Sequence, residues 1–160
     1  MGVFFQISKK KENKMNFHAK KFDQLNCAEL YEILKARSAV FMLEQKILCL
    51  DMDDIDYKSL HVFLEEEGKI LAYLRAFETE GEGAVKIGRV LTRIRKKGLG
   101  REMMKRAEEA MKEVFSAKRV LVDAQKQAVP FYEKCGFTSV SDEFMEEGIP
   151  HIKMEKELSF

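Results

Sequence analysis

The stretch "KKGLGREMMKRAEEAMKEVF", residues 96–115, constrains this chain more than any other. Met103, Met104, Ala107, Ala110, Met111, Val114 and Phe115 recur at helical spacing and make one apolar face, which reads as core packing. The apolar run "AVKIGRVLT" (84–92) precedes it and "KRVLVDAQ" (118–125) follows it, and both read as strands. A strand, a helix of this length and a second strand form a crossover, which joins parallel neighbours. The chain therefore needs a parallel pair inside a mixed sheet, an α/β or α+β domain.

The flanking segments supply the rest of the sheet. "FHAKKF" (17–22) alternates as a half-buried strand does. Asn26 and Glu29 have the spacing of a capping box, and Leu30, Ile33, Leu34, Arg37 and Phe41 carry a helix toward Glu44. "LDMDDIDYKS" (50–59) is an acidic loop with room for one helical turn. "LHVFLEEEGKILAYLRAFE" (60–78) predicts a hairpin turning at Glu67 and Gly68. Residues 128–135 predict a short helix with Pro130 in its first turn and Gly136 as its stop. "FTSVSDEF" (137–144) and "HIKMEKE" (151–157) read as two final strands. The expected order is β-α-loop-β-β-β-α-β-α-β-β. A length of 160 residues and 46% hydrophobic content fit one domain over 15–160, with residues 1–14 as an N-terminal extension.

Composition narrows the partners. The net charge of +1 lacks the basic excess of a protein that coats nucleic acid, so no nucleic-acid partner is expected. No apolar run approaches the roughly 18 residues of a membrane helix, and no membrane partner is expected. At the start, the apolar patch precedes the lysines of "KKKENK", the reverse of a signal peptide, and Gln6 stands where a myristoylation pattern asks for Ser or Thr. That segment reads as a solvated tether, with Met15 as an alternative start. Cys27, Cys49 and Cys135 are widely spaced and odd in number, so reduced, mostly buried thiols in a cytoplasmic protein are expected.

The glycines at 98 and 100 sit where a strand gives way to a helix. A helix start leaves N–H groups without partners and carries partial positive charge, so it can hold a phosphate. A P-loop needs Gly-Lys-Ser/Thr, but Gly100 is followed by Arg101 and Glu102. A dinucleotide fingerprint needs a third glycine where Met103 stands. Glu102, Glu108, Glu109 and Glu113 end the positive field within about one turn, which suits one compact polyphosphate better than a long polyanion. Spacing alone leaves a phosphate cradle and a solvated glycine bend equally open.

Four stretches together resemble the GNAT superfamily of N-acetyltransferases. "RKKGLG" (95–100) matches its R/Q-x-x-G-x-G/A motif, and "AVPFYEKCGF" (128–137) is similar to its A-x-x-F-Y-E-K-x-G-F segment. "AVFMLEQ" (39–45) and "EEGIPHIKM" (146–154), with "IGRVLT" (87–92), look like the ElaA-like branch. The resemblance covers roughly residues 17–157 and implies a central mixed sheet, splayed between strands 4 and 5 and flanked by helices. It implies acetyl-CoA as co-substrate, no metal, and a primary amine of a small molecule or protein as acceptor. By position, Arg95, Lys96, Lys97, Gly98, Leu99, Gly100 and Arg101 would bind pyrophosphate. Leu91 and Thr92 would pair with the pantetheine arm, and Gln125 would contact the cofactor. Tyr132, also beside the cofactor, would serve as general acid. The "LTRIR" lead-in is about two residues shorter than in relatives, and Lys96 replaces a common glycine, so the connection is expected to be tighter.

A free amine of pKa about 10.4 must lose a proton before it attacks. Glu44, His61 and His151 are the candidate bases or substrate residues, because they lie in or near the branch-specific segments. Each has a plainer role open: pairing with Arg37, packing as a core histidine, and shaping the turn after Pro150. Asp51, Asp53, Asp54 and Asp56 do not fit a calcium loop, since Asp56 and Val62 stand where Gly and Glu are required. An acidic lip for a cationic amine and a solvated loop stay equally open. A non-catalytic CoA-binding module is the alternative function, and either a monomer or a homodimer fits.

Overall fold

The computed structural model describes residues 14–94 and 98–160. Residues 1–13 of the predicted N-terminal extension (1–14) and the motif residues Arg95, Lys96 and Lys97 lie outside them. Strand β1 (Asn16–Lys21) leads to helix α1 (Cys27–Arg37), then to β2 (Leu60–Glu66), β3 (Lys69–Glu78) and β4 (Ala84–Thr92). Helix α2 (Leu99–Phe115) crosses to β5 (Arg119–Gln125), followed by α3 (Val129–Lys134), β6 (Thr138–Ser139), β7 (Phe144–Glu146) and β8 (Ile149–Glu157). One mixed sheet runs β1-β2-β3-β4-β5-β8-β6, with β7 paired to β8. Among the described residues no helix is long and apolar enough to cross a membrane.

The crossover is as expected: β4 and β5 are parallel. Helix α2 presses Met103, Met104, Ala107 and Met111 onto one face of the sheet, each almost fully buried, against Val62, Leu74, Ile87 and Val122. Burying each such methionine stabilises by roughly 1.5–3 kcal/mol. Helix α3 joins that layer through Tyr132 and Phe131. On the opposite face, α1 packs Ile33 and Ala36 against Phe63, Tyr73 and Leu91. The capping box forms: Glu29 N–H donates to Asn26 Oδ1 at 2.8 Å, and Asn26 N–H donates to Glu29 Oε2 at 3.0 Å.

Three expectations need correction. The first helix does not run unbroken to Glu44. It changes to a π-helix at Ser38–Glu44, where the Gln45 N–H donates to Val40 O at 3.0 Å. The wider turn lets this segment wall a cavity instead of continuing the apolar stripe. "FTSVSDEF" is not one strand: Thr138 and Ser139 pair with β8, and β7 begins at Phe144. A hairpin turning at Glu147 and Gly148 was missed, although Glu67–Gly68 makes the same left-handed pair between β2 and β3. The cysteines are free but not buried; Cys27 is exposed at the solvated first turn of α1, and Cys49 and Cys135 are half-buried.

Candidate active site

Strands β4 and β5 pair only from Ala84↔Arg119 to Ile87↔Val122. Beyond Ile87 they part, and among the described residues the β5-facing edge of 88–92 has no ladder partner. A cavity of about 1130 Å³ opens there. Its walls are the end of β4, Asp123 and Gln125 of β5, Phe131 and Tyr132 of α3, the π-helix, loop 47–55 and the β7–β8 hairpin. At the same point β4 bulges: Tyr73 pairs with Leu91 and Arg75 with Gly88, so Leu74 alone faces Arg89 and Val90. Arg89 takes φ 51°, a left-handed conformation that costs a non-glycine residue roughly 1–3 kcal/mol.

The acidic loop is neither a free acidic lip nor a solvated turn. Arg37 of α1 is fully buried and donates to Asp51 Oδ2 (2.9 Å), Asp51 O (3.0 Å) and Asp56 Oδ1 (2.6 Å). Arg75 of β3 grips Asp53 with both terminal nitrogens (2.7 and 2.6 Å) and reaches Asp56 at 3.1 Å. Arg89 donates to Asp51 Oδ1 (2.8 Å) and Asp51 O (3.0 Å). Three arginines thus neutralise Asp51, Asp53 and Asp56. The Arg75 hydrogen bonds hold the Asp53 carboxyl at about 2. At Asp56 burial is the largest single influence and pushes the other way, but the bonds and charges of Arg37 and Arg75 together keep the carboxyl below its usual range. Glu44 does not pair with Arg37; it is exposed at the cavity wall.

At the other end of the cavity, the β4 ladder reaches Thr92, and the Arg93 N–H still donates to Leu71 O at 2.7 Å. The short lead-in therefore continues the strand pair. Gly98 stands before α2 at φ 84°, with no side-chain cap. The first intrahelical bond is Glu102 N–H to Gly98 O, so the N–H groups of Leu99, Gly100 and Arg101 precede the helix's own ladder. The two glycines answer different demands. Gly98 has open space but a left-handed backbone. A Cβ on Gly100 would meet Phe131 ring atoms at 3.0 and 3.2 Å.

Tyr132 is 5% exposed, lines the cavity and lies edge-on to Phe131 and Phe137. The Cys135 and Phe137 N–H groups both donate to its carbonyl at 3.0 Å, fixing the end of α3 around it. Burial, with Cys135 adding to it, pushes its phenol above the ordinary value. Leu91 is buried and Thr92 exposed, and both line the cavity. Gln125 donates to Gln45 Oε1 at 2.8 Å and accepts from Gln127 at 2.8 Å, so a chain of amides spans the cleft from the π-helix to β5. His151 is 7% exposed and lines the cavity; its Nδ1–H donates to Ile149 O at 2.7 Å. Its Nε2 lies 3.6 Å from Glu146 Oε2. His61 stands apart. It is fully buried, donates from Nε2 to Asp56 O at 2.9 Å and accepts the Tyr73 hydroxyl at Nδ1 (2.8 Å). Burial lowers its pKa, which keeps the ring neutral in that tautomer.

A family model described as an acetyltransferase (GNAT) domain matches residues 20–158. The chain belongs to the GNAT acetyltransferase family. It is 40% identical over 148 residues to a UPF0039 protein of Schizosaccharomyces pombe, covering 90% of this chain and 98% of that protein. Among solved structures, an acyl-CoA N-acyltransferase from Pseudomonas aeruginosa superposes with a TM-score of 0.82 at 33% identity, covering 89% of this chain and 99% of that one. Escherichia coli ElaA superposes equally well, at 0.82 and 28% identity, over 90% and 100% of the two chains. The fold is that of GNAT acyl-CoA N-acyltransferases, and the chain is an acyltransferase of that family.

The GNAT motifs thus come together around one cavity: Leu91, Thr92, Gln125, Tyr132, Glu44 and His151 line it, and Gly98, Leu99, Gly100 and Arg101 form the adjoining helix start. His61 lies behind the acidic loop and outside the lining. Sequence reasoning missed Arg75, Arg89 and Gln45. Arg37 was assigned to a helix face without its partners. The one available signal was an arginine in each of three predicted apolar segments, beside a loop with four aspartates.

Proposed function

We propose that this cytoplasmic enzyme transfers the acetyl group of acetyl-CoA to a primary amine of a small molecule or protein. The parting of β4 and β5 beside Tyr132 carries the reading. It leaves a strand edge of main-chain groups facing a cavity, and an extended pantetheine arm can pair with such an edge as a strand would. Leu91 and Thr92 supply that edge. The N–H groups of Leu99, Gly100 and Arg101, with the charge of Arg95, Lys96, Lys97 and Arg101, suit the pyrophosphate. Gln125 is within the same cleft, and its amide exchanges a Gln45 bond for one to the cofactor.

The amine nitrogen attacks the thioester carbonyl carbon, the carbon–sulfur bond breaks, and the sulfur leaves as a thiolate. His151 is best placed as the base. Its Nδ1–H is held by Ile149 O, so a neutral ring presents the Nε2 lone pair to take the amine proton. The oxyanion is stabilised by the strand edge near Leu91. A phenol of pKa about 10 is already a weaker acid than a thiol of about 8.5, and burial weakens it further. Tyr132 therefore acts chiefly by donating a hydrogen bond to the sulfur as charge develops. Glu44, exposed at the wall, favours a cationic amine approaching. The deciding experiment is acetyl-CoA turnover with a panel of amines, read as thiol release. Release dependent on an amine supports the enzyme; tight CoA binding without release supports a non-catalytic CoA-binding module.

A further inference from the structure

We propose that Arg89 is a positioning residue whose side chain locks the β4 bulge to loop 51–56, so that the cofactor-side strand edge and the acceptor-side wall form one rigid unit. The inference rests on the acyl-transfer reading above.

A glycine would be the natural occupant of a left-handed bulge position. The sequence has one, but a residue early: Gly88 precedes the bulge and is not left-handed, whereas Arg89 is, at φ 51°. The strained residue is thus the one that carries a side chain, and that side chain is engaged through two of its three nitrogens. Its Nε donates to Asp51 Oδ1 at 2.8 Å, and its Nη2 donates to Asp51 O at 3.0 Å and sits 3.5 Å from Asp53 Oδ2. Asp51 is held from behind by the buried Arg37, and Asp53 by the buried Arg75. These two anchor the loop to the core. Arg89, with 27% of its side chain exposed, borders the cavity and connects the anchored loop to the bulge itself. Any shift of the loop is felt directly at the backbone of residues 88–91. That backbone must aim its groups at the reacting carbonyl, where small displacements are expensive in rate.

A purely stabilising ion pair would change unfolding and leave the chemistry alone. The test compares Arg89→Gly and Arg89→Lys with the parent by amide hydrogen exchange, thermal unfolding, and kcat and KM for acetyl-CoA. Arg89→Gly keeps the left-handed backbone accessible but removes the clamp. It is expected to lose protection in residues 51–56 and 88–92 together. Its kcat is expected to fall by roughly 10- to 100-fold, while KM for acetyl-CoA changes less than about threefold. Arg89→Lys, with one donor group in place of the fork, is expected to fall between the two. An Arg89→Gly protein with parental kcat, or with exchange altered in the loop alone, overturns the proposal. If the parent releases no thiol with any amine, the functional reading fails. The exchange data still decide the clamp: joint loss in both segments supports it, and parental protection at 88–92 ends it. Should Arg89→Gly not fold, the same exchange comparison on Arg89→Lys decides between these outcomes.

Discussion

The two walls of the cleft are built from different materials. The wall proposed to face the cofactor is mostly main chain: a strand edge at 88–92 with no partner among the described residues, and a helix start behind Gly98. The wall proposed to face the acceptor is held by charged side chains, with Arg37, Arg75 and Arg89 fastening Asp51, Asp53 and Asp56. A main-chain wall can serve any acyl-CoA, because its groups recur at every residue. A wall of interlocked side chains is particular to one chain, since each member depends on its partner. On the proposed reading, the contrast puts generic recognition on one side of the cavity and substrate choice on the other.

Removing Arg37 should damage the molecule most. Arg37→Ala leaves Asp51 and Asp56 short of their buried partner, and a loss of about 3–5 kcal/mol is expected, read by urea unfolding. A loss below about 1 kcal/mol would show that the acceptor wall is not anchored through this residue. Next in size, Tyr132→Phe should slow acyl transfer by roughly 100-fold with CoA affinity unchanged by calorimetry, the signature of an interaction made as the thiolate forms. Unchanged turnover would remove Tyr132 from the mechanism.

On the cofactor side, Gly98→Ala and Gly100→Ala should each cost about 1–2 kcal/mol of stability, for different reasons. Phe131→Leu should relieve Gly100→Ala, whose Cβ meets that ring, and leave Gly98→Ala unimproved, because its strain lies in the backbone. Equal rescue of both would refute the distinction. The smallest effect expected is on acid stability. The Asp53 carboxyl is held at about 2 by Arg75, below the ordinary 3.8, so its ionised form favours the folded state. That contribution is present above about pH 4 and is lost as pH falls toward 2. Urea midpoints measured from pH 5 to pH 2 should therefore drop more steeply in the parent than in Asp53→Asn. Parallel curves would mean that the fork from Arg75 contributes nothing.

The same division explains what could be read from the sequence. The methionine face of α2, the capping box at Asn26 and the glycine turn are local patterns, each complete within about 20 residues, and the crossover is a run of such patterns in sequence order. The neighbours confirm the family to which they point. The acceptor wall joins Arg37 to Asp56, Arg75 to Asp53 and Arg89 to Asp51, contacts that link elements 19 to 38 residues apart. No periodicity announces such pairs, so four aspartates read as a lip or a solvated loop. Glu147–Gly148 had the same turn chemistry as Glu67–Gly68, but the three residues of β7 are too few to show alternation.

The amide chain from Gln45 through Gln125 to Gln127 has a consequence for traffic through the cleft. A hydrogen bond between uncharged amides at a wet surface contributes about 1 kcal/mol net. A latch of that strength stands open in roughly one molecule in six at any instant. It is also indifferent to salt, unlike the charged loop beside it. A ligand that must displace this amide bridge therefore gives up only about 1 kcal/mol to do so.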